Sequence, residues 1–228
     1  VISRVEKHSP AAKAHIKQGE TLLSINGERV VDVLDYKFLS YDAALSLEIE
    51  GTDGARRTVR IRKEEGEDLG ITFYTYLIDK MKRCANKCVF CFIDQMPRGM
   101  RDTLYVKDDD ARMSFLLGNY ISLTNLAKRD VDRMIRMRIS PVNISVQTTN
   151  PELRVKMLGN PNAGKSLDIL KAFADANLRM NAQIVVCPGL NDGQELERTL
   201  SDLTALYPCV QSISVVPVGL TAHREGLY

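Results

Sequence analysis

The sequence predicts an α/β protein in two parts, a small β-rich unit followed by a larger one built on a parallel sheet. Three observations carry this. Residues 1–66 hold short alternating strands joined by turn residues, the chain after residue 75 alternates buried strands with amphipathic helices, and a charged stretch at 63–68 separates the two textures. Strand–helix alternation implies parallel pairing, because a parallel connection needs the crossover that a helix supplies.

In the first unit, Thr21-Leu22-Leu23-Ser24-Ile25-Asn26-Gly27-Glu28-Arg29-Val30 runs a strand into an Asn-Gly turn and out again, a strong hairpin signal. Leu45-Ser46-Leu47-Glu48-Ile49-Glu50 and Thr58-Val59-Arg60-Ile61-Arg62 both alternate apolar and polar residues, with turn chemistry at Gly51-Thr52-Asp53-Gly54 between them. Ser9 before Pro10 is the usual opening of a short helix. In the second unit, strands fit residues 120–124, 142–146, 183–186 and 212–216, and helices fit 128–138, 165–176 and 193–206. The C-terminal strand ends carry Thr124-Asn125, Gln147-Thr148-Thr149, Pro188-Gly189-Leu190-Asn191 and Pro217-Val218-Gly219. In parallel α/β sheets those ends build the active site.

With 44% apolar and 26% charged residues the chain can bury a sizeable core. A formal net charge of +2 gives no electrostatic reason to expect a nucleic acid or a membrane surface as partner. No apolar run approaches the roughly 18 residues of a spanning helix. Of five cysteines, Cys84, Cys88 and Cys91 are clustered while Cys187 and Cys209 stand alone as small apolar residues. That is no disulfide framework, and it reads as a chain of the reducing cytoplasm with its clustered thiols kept for metal.

Cys84-Ala85-Asn86-Lys87-Cys88-Val89-Phe90-Cys91 is the sharpest signal. Its spacing lets one loop wrap one metal centre. A [4Fe–4S] cluster normally takes four cysteines, so three leave one iron open to a chelating cofactor. Zinc sites are four-coordinate and pair two such knuckles, and no second knuckle or His pair lies nearby. A zinc site and three buried structural cysteines are the alternatives.

The Cys-x3-Cys-x2-Cys spacing with an aromatic residue, Phe90, before the last cysteine resembles the radical SAM enzymes. The likeness extends to residues 84–97, 118–125, 149–154, 187–193 and 216–221. Over essentially the whole chain the sequence is similar to a bacterial radical SAM family of unknown function with an N-terminal PDZ-like domain, described as iron–sulfur oxidoreductases. The resemblance implies a partial (β/α)6 barrel, with residues 1–66 as the PDZ-like domain, 67–80 as linker and first barrel strand, and 81–228 as the barrel. The family chain continues past the equivalent of Tyr228, so this one is read as truncated at its C-terminal end.

The resemblance also implies a mechanism. Cys84, Cys88 and Cys91 would hold a [4Fe–4S] cluster whose open iron is chelated by S-adenosylmethionine. An electron from a donor such as flavodoxin or ferredoxin would cleave the sulfonium to methionine and a 5′-deoxyadenosyl radical, which abstracts hydrogen from a substrate the sequence does not name. The Gly-Gly-Glu motif that usually receives the amino group is absent. Thr124 and Asn125 stand in its place, as ammonium acceptors or as a cap for the next helix. Phe90, Ser145, Gln147 and Asn191 complete the expected cofactor contacts, Ser145 and Gln147 toward the ribose and Asn191 toward the adenosine. For the PDZ-like unit the resemblance implies a C-terminal peptide ligand, with Leu69-Gly70-Ile71 supplying the carboxylate loop from the far end of a permuted domain. The alternative from another class is a peptide-binding interaction protein whose cluster is structural or carries electrons.

Gly159-Asn160-Pro161-Asn162-Ala163-Gly164-Lys165-Ser166 matches the phosphate-loop pattern of an NTPase in full. A Pro-started helix, not a strand, precedes it, and no acidic strand residue follows for Mg²⁺. It therefore reads as a loop and helix start. Asp108-Asp109-Asp110 reads as a solvated acidic loop.

Overall fold

The computed structural model describes residues 1–228, which divide into two compact units, Val1–Met81 and Lys82–Tyr228. The first unit holds β1 (Ile2–Val5), α1 (Pro10–Lys13), β2 (Thr21–Ile25), β3 (Glu28–Arg29), α2 (Val33–Leu39), β4 (Ala44–Glu50), β5 (Arg56–Arg62) and β6 (Ile71–Phe73). Four strands form an antiparallel sheet in the order β3-β2-β4-β5. Asn26 and Gly27 both take positive φ, 52° and 81°, the conformation a two-residue hairpin turn demands. Alternation in β4 puts Leu45, Leu47 and Ile49 into the core, opposite Ile61, Val59 and Arg57 of β5.

A second, two-stranded sheet pairs β1 with β6 antiparallel, Val5 opposite Ile71. The segment 67–80, which the sequence assigns to a linker and first barrel strand, thus contributes its strand to the first unit. Helix α2 has no counterpart in the sequence reading. Asp32 caps it by accepting from the N–H groups of Leu34 and Asp35 at 2.9 and 3.3 Å, and Tyr36 and Leu39 turn inward.

The second unit contains α3 (Ala111–Leu117), α4 (Lys128–Arg136), β7 (Val142–Ser145), α5 (Pro151–Leu158), α6 (Leu167–Asp175), β8 (Met180–Val186), α7 (Gly193–Thr204) and β9 (Val210–Pro217). Strands β7, β8 and β9 form a parallel sheet in that order, with Ile144 opposite Ala182 and Ile184 opposite Val215. Its connections are helical, as the sequence pattern requires. No helix is long and apolar enough to cross a membrane.

Residues 120–124, expected as a strand, reduce to one parallel bridge between Ile121 and Ile144. The reason is local. The Ser122 N–H donates to the Asp109 carboxylate at 2.6 Å instead of to a neighbouring strand, and Leu123 takes a positive φ of 65°. The ordered parallel sheet therefore has three strands where the resemblance implies six.

Leu47 is fully buried at the centre of the first unit's core. Leu47→Ala is expected to cost about 2–5 kcal/mol, read from the denaturant unfolding of that unit, because a packed core closes only partly over a lost isobutyl group.

Candidate functional site

The three clustered cysteines lie on the loop that opens the second unit, each half-buried with a free thiol. Three neighbours hold this loop through its backbone. The Cys84 N–H donates to the Lys107 carbonyl at 3.0 Å. Lys87 and Val89 donate to the carbonyls of Leu158 and Met157, both at 2.9 Å, so the loop satisfies acceptors that the end of α5 would leave open. Tyr228 donates to the Val89 carbonyl at 3.0 Å. Gly159 ends α5 in the left-handed region, and a methyl group there would fall 2.5 Å from the Lys87 carbonyl oxygen. Only glycine admits both the turn and the approach.

Burial pushes the Cys88 thiol up to about 12, and the charges of Cys84 and Cys91 push the same way. Burial likewise raises Cys84, aided by Asp109 and Cys91 and opposed by Lys107 and the Asn86 N–H. The sulfurs are thus near enough to feel one another's charge. They do not close into metal-binding geometry in this arrangement. The donor chemistry nonetheless suits a polynuclear iron centre: the thiols of Cys84 and Cys88, which burial and neighbouring charge hold in the protonated form, would need a multiply charged cation to become thiolates together. Phe90 and Cys88 pack against Met157, Leu158, Ala163 and Cys187, an apolar backing to the loop.

Beneath the loop lies a buried polar network that the sequence reading missed. Asn86, between the first two cysteines, donates to Ser122 Oγ at 2.8 Å and accepts from Asn160 Nδ2 at 2.7 Å and Thr124 Oγ1 at 2.9 Å. Ser122 Oγ in turn donates to Asp109 at 2.6 Å. The acidic triplet is therefore no solvated loop. Asp109 is 4% exposed, with burial raising its pKa and the Ser122 bonds lowering it. Asp110 is buried too, capping α3 through the Arg112 N–H and pairing the Arg112 side chain at 2.6 Å.

Below the network sits Arg154, fully buried on α5. Its five N–H donors all find acceptors: Nε on the Val146 carbonyl at 2.8 Å, Nη1 on the Ala163 carbonyl at 2.5 Å and on Ser166 Oγ, Nη2 on the carbonyls of Ser122 and Ser145 at 2.8 and 3.1 Å. None of these acceptors carries a charge. Burial brings Arg154 down to about 10, and the charges of Asp109 and Cys88 hold it up.

The expected cofactor contacts separate into two kinds. Ser145 lies at the end of β7, half-buried, with its backbone spent on Ile121 and Arg154. Thr124 is committed to Asn86 and Ser122, while Asn125 donates to the Arg83 carbonyl at 2.7 Å. Gln147 takes a φ of 68° and accepts from the Val185 N–H at 2.6 Å. Asn191 accepts from the Cys187 N–H at 2.8 Å and donates to the carbonyls of Gln147 and Val185. Gln147 and Asn191 are both buried, and their amides clip the ends of β7 and β8 together.

The phosphate-loop look-alike has a structural use. Asn162 donates to Asn160 Oδ1, Ala163 to the Asn160 carbonyl and Ser166 to the Asn162 carbonyl, so these N–H groups turn inward instead of cradling an anion. Helix α5, not a strand, precedes it.

Arg154→Met should lower stability by about 3 kcal/mol, because the carbonyls of Ser122 and Ser145 lose the guanidinium donor and those of Val146 and Ala163 keep only the Thr148 N–H and the Ser166 hydroxyl. Arg154→Lys should recover little of it, since a point charge lacks the planar fork. Thermal unfolding of the anaerobic chain measures both. Gly159→Ala, with its methyl group driven against Lys87, should cost about 1–3 kcal/mol in the same measurement.

Two known families match the chain. The family described as a radical SAM-like domain matches residues 63–213, more than half of the chain, and the family described as a PDZ domain matches residues 1–62. No curated protein matches the chain. The chain belongs to the radical SAM family and carries a PDZ-like domain ahead of its radical SAM domain.

Proposed function

We propose that this chain is a radical SAM enzyme in which Cys84, Cys88 and Cys91 hold a [4Fe–4S] cluster. The carrying observation is the placement of these three thiols, and no fourth, on a single half-buried loop braced by backbone hydrogen bonds. When bound, the cluster and S-adenosylmethionine supply the electron transfer and the carbon radical that such chemistry needs.

The chain's own residues give the loop its shape and surroundings. Asn86 anchors its first turn to Ser122, and α5 fixes its second through Met157 and Leu158. Phe90, Met157 and Leu158 keep water from one side of the thiols. Lys107, whose ammonium is within range of the charges on Cys84 and Cys91 and pairs with Asp94 at 2.5 Å, adds positive charge beside the loop. Asn125 keeps its carboxamide oxygen free of any hydrogen bond within the chain, and this oxygen is the acceptor available to an ammonium group. The electron comes from a flavodoxin- or ferredoxin-type donor, and the reaction takes place in the cytoplasm on a substrate yet to be named.

Anaerobic reconstitution should load about four iron atoms per chain with a broad brown absorbance. Cys84→Ala, Cys88→Ala or Cys91→Ala should each abolish it, and Cys209→Ala should not. The loaded protein, once reduced, should convert S-adenosylmethionine to methionine and 5′-deoxyadenosine. Lys165→Ala should leave iron content and cleavage unchanged. One zinc per chain in strictly anaerobic preparations, or a loaded cluster inert toward S-adenosylmethionine, would refute the reading.

A further inference from the structure

Charge is unevenly spread along the chain. Residues 82–107 hold six Lys and Arg against Asp94 and Asp102, a net +4, whereas the whole chain is +2 and the remainder therefore −2. Two of the six are spent, Lys82 on Asp130 at 2.9 Å and Lys107 on Asp94 at 2.5 Å. Arg83, Lys87, Arg98 and Arg101 are exposed and make no ion pair. The Arg101 side chain meets Thr103 Oγ1 at 3.1 Å, and Asp102 is the one carboxylate of the segment left to oppose the four.

The same segment exposes apolar surface. Residues 92–106 leave the cysteine loop after Cys91 and return at Lys107, whose carbonyl accepts from the Cys84 N–H. Tyr105 closes this excursion, donating to the Pro97 carbonyl at 2.5 Å and accepting from the Met100 N–H at 2.8 Å. Phe92 is 56% exposed and Met100 52%. Gly219 lies against the Phe92 ring, where a methyl group would fall 3.2 Å from Cδ2, and Leu220 next to it is 69% exposed. Apolar side chains rimmed by unpaired charge of one sign make up a docking surface.

Its position indicates the partner. Phe92 follows Cys91 directly, and the Lys107 ammonium is within range of the charges on Cys84 and Cys91. The other two cysteines, Cys187 and Cys209, form no second cluster that could relay an electron. A donor must therefore bring its redox group to this loop from outside. We propose that residues 82–107, with Leu220, are the docking surface for an acidic one-electron donor protein of the flavodoxin or ferredoxin kind. Phe92, Met100 and Leu220 make the contact, and the four free cations steer the donor onto it. One electron leaves the donor and enters the cluster, and no bond or proton on this chain changes. Encounters of this type are small and depend on complementary charge for their rate. A nucleic acid fits less well, because a phosphate backbone needs a continuous positive track, which Asp94, Asp102 and the apolar side chains interrupt. The need for an electron rests on the radical SAM reading above, whereas the surface itself does not.

The test follows the rate of cluster reduction in the anaerobically reconstituted whole chain by a reduced acidic flavodoxin, a reduced acidic ferredoxin and dithionite. Reduction by the two proteins should slow about tenfold as salt is raised from about 10 mM to about 0.3 M. The double variant Arg98→Glu, Arg101→Glu should slow both proteins about tenfold or more, yet leave dithionite within about threefold. The double variant Arg98→Lys, Arg101→Lys keeps the charge and should stay near the wild-type rate. Met100→Ser should weaken flavodoxin binding about threefold at every salt concentration. Titration calorimetry of flavodoxin with the iron-free chain should show the same charge dependence. A chain that loads no cluster would thus refute the radical SAM reading while binding still judges the surface. The proposal is overturned if charge reversal leaves the rates and affinities of both proteins unchanged, or if neither protein binds the wild-type chain. It is equally overturned if an oligonucleotide displaces the flavodoxin and loses its own binding in the charge-reversed variant.

Discussion

Everything around the cysteine loop depends on one buried cation. Arg154 is 0% exposed, has no carboxylate in contact, and reaches the backbone at Ser122, Ser145, Val146 and Ala163. Taking a guanidinium out of water costs several kcal/mol, and each hydrogen bond from a charged donor returns about 1.5–3 kcal/mol. Five such bonds outweigh the cost, whereas two or three would barely match it. The cation is therefore tolerated only if β7, residue 122 and the turn before α6 all stand where they do. This makes Arg154 a selector of one arrangement more than a source of net stability.

The network above it passes that fixed geometry upward. Ser122 gives its carbonyl to Arg154 and its N–H and hydroxyl to Asp109, then meets Asn86 inside the cysteine loop. Asp109 is the negative charge that most raises Arg154, and Ser122 links the two by hydrogen bonds. A buried, fully connected polar chain is stiff because every broken link leaves a desolvated group. Its stiffness ends at the cysteine loop, where the Asn86 N–H reaches the Cys84 sulfur and no side chain of the network does. Rigid support with uncommitted thiols is what a metal centre requires of its protein.

Much of this was legible in the sequence, and the exceptions share a cause. The Asn26-Gly27 hairpin, the alternation in β4 and β5, and helices α4, α6 and α7 follow from local chemistry and period, and the structure has them within a few residues. The cysteine spacing named the family. What stayed hidden were residues whose role depends on a distant partner. Asp109 sits in an acidic triplet that looks solvated until Ser122, 13 residues on, is brought over it. Arg154 lies on the Pro-started helix with nothing local to give it a role until strand-end carbonyls surround it. Gln147 and Asn191 have the residue types of a ribose or adenosine contact, and Gln147 Oε1 and the Asn191 amide also bond backbone at the C-terminal ends of β7 and β8, which local sequence does not reveal. Helix α2 escaped notice because seven residues give too little period to read, and its Asp32 cap was the available signal.

The central claim is that the three thiols leave one iron of the cluster open and that S-adenosylmethionine occupies it. Electron paramagnetic resonance of the reduced, reconstituted chain, recorded with and without S-adenosylmethionine, addresses that iron directly. A clear change in the g-values of the reduced cluster on addition of S-adenosylmethionine is the predicted result. An unchanged spectrum at saturating S-adenosylmethionine, from a chain with full iron content, would contradict the claim and leave the cluster as a structural or electron-carrying group.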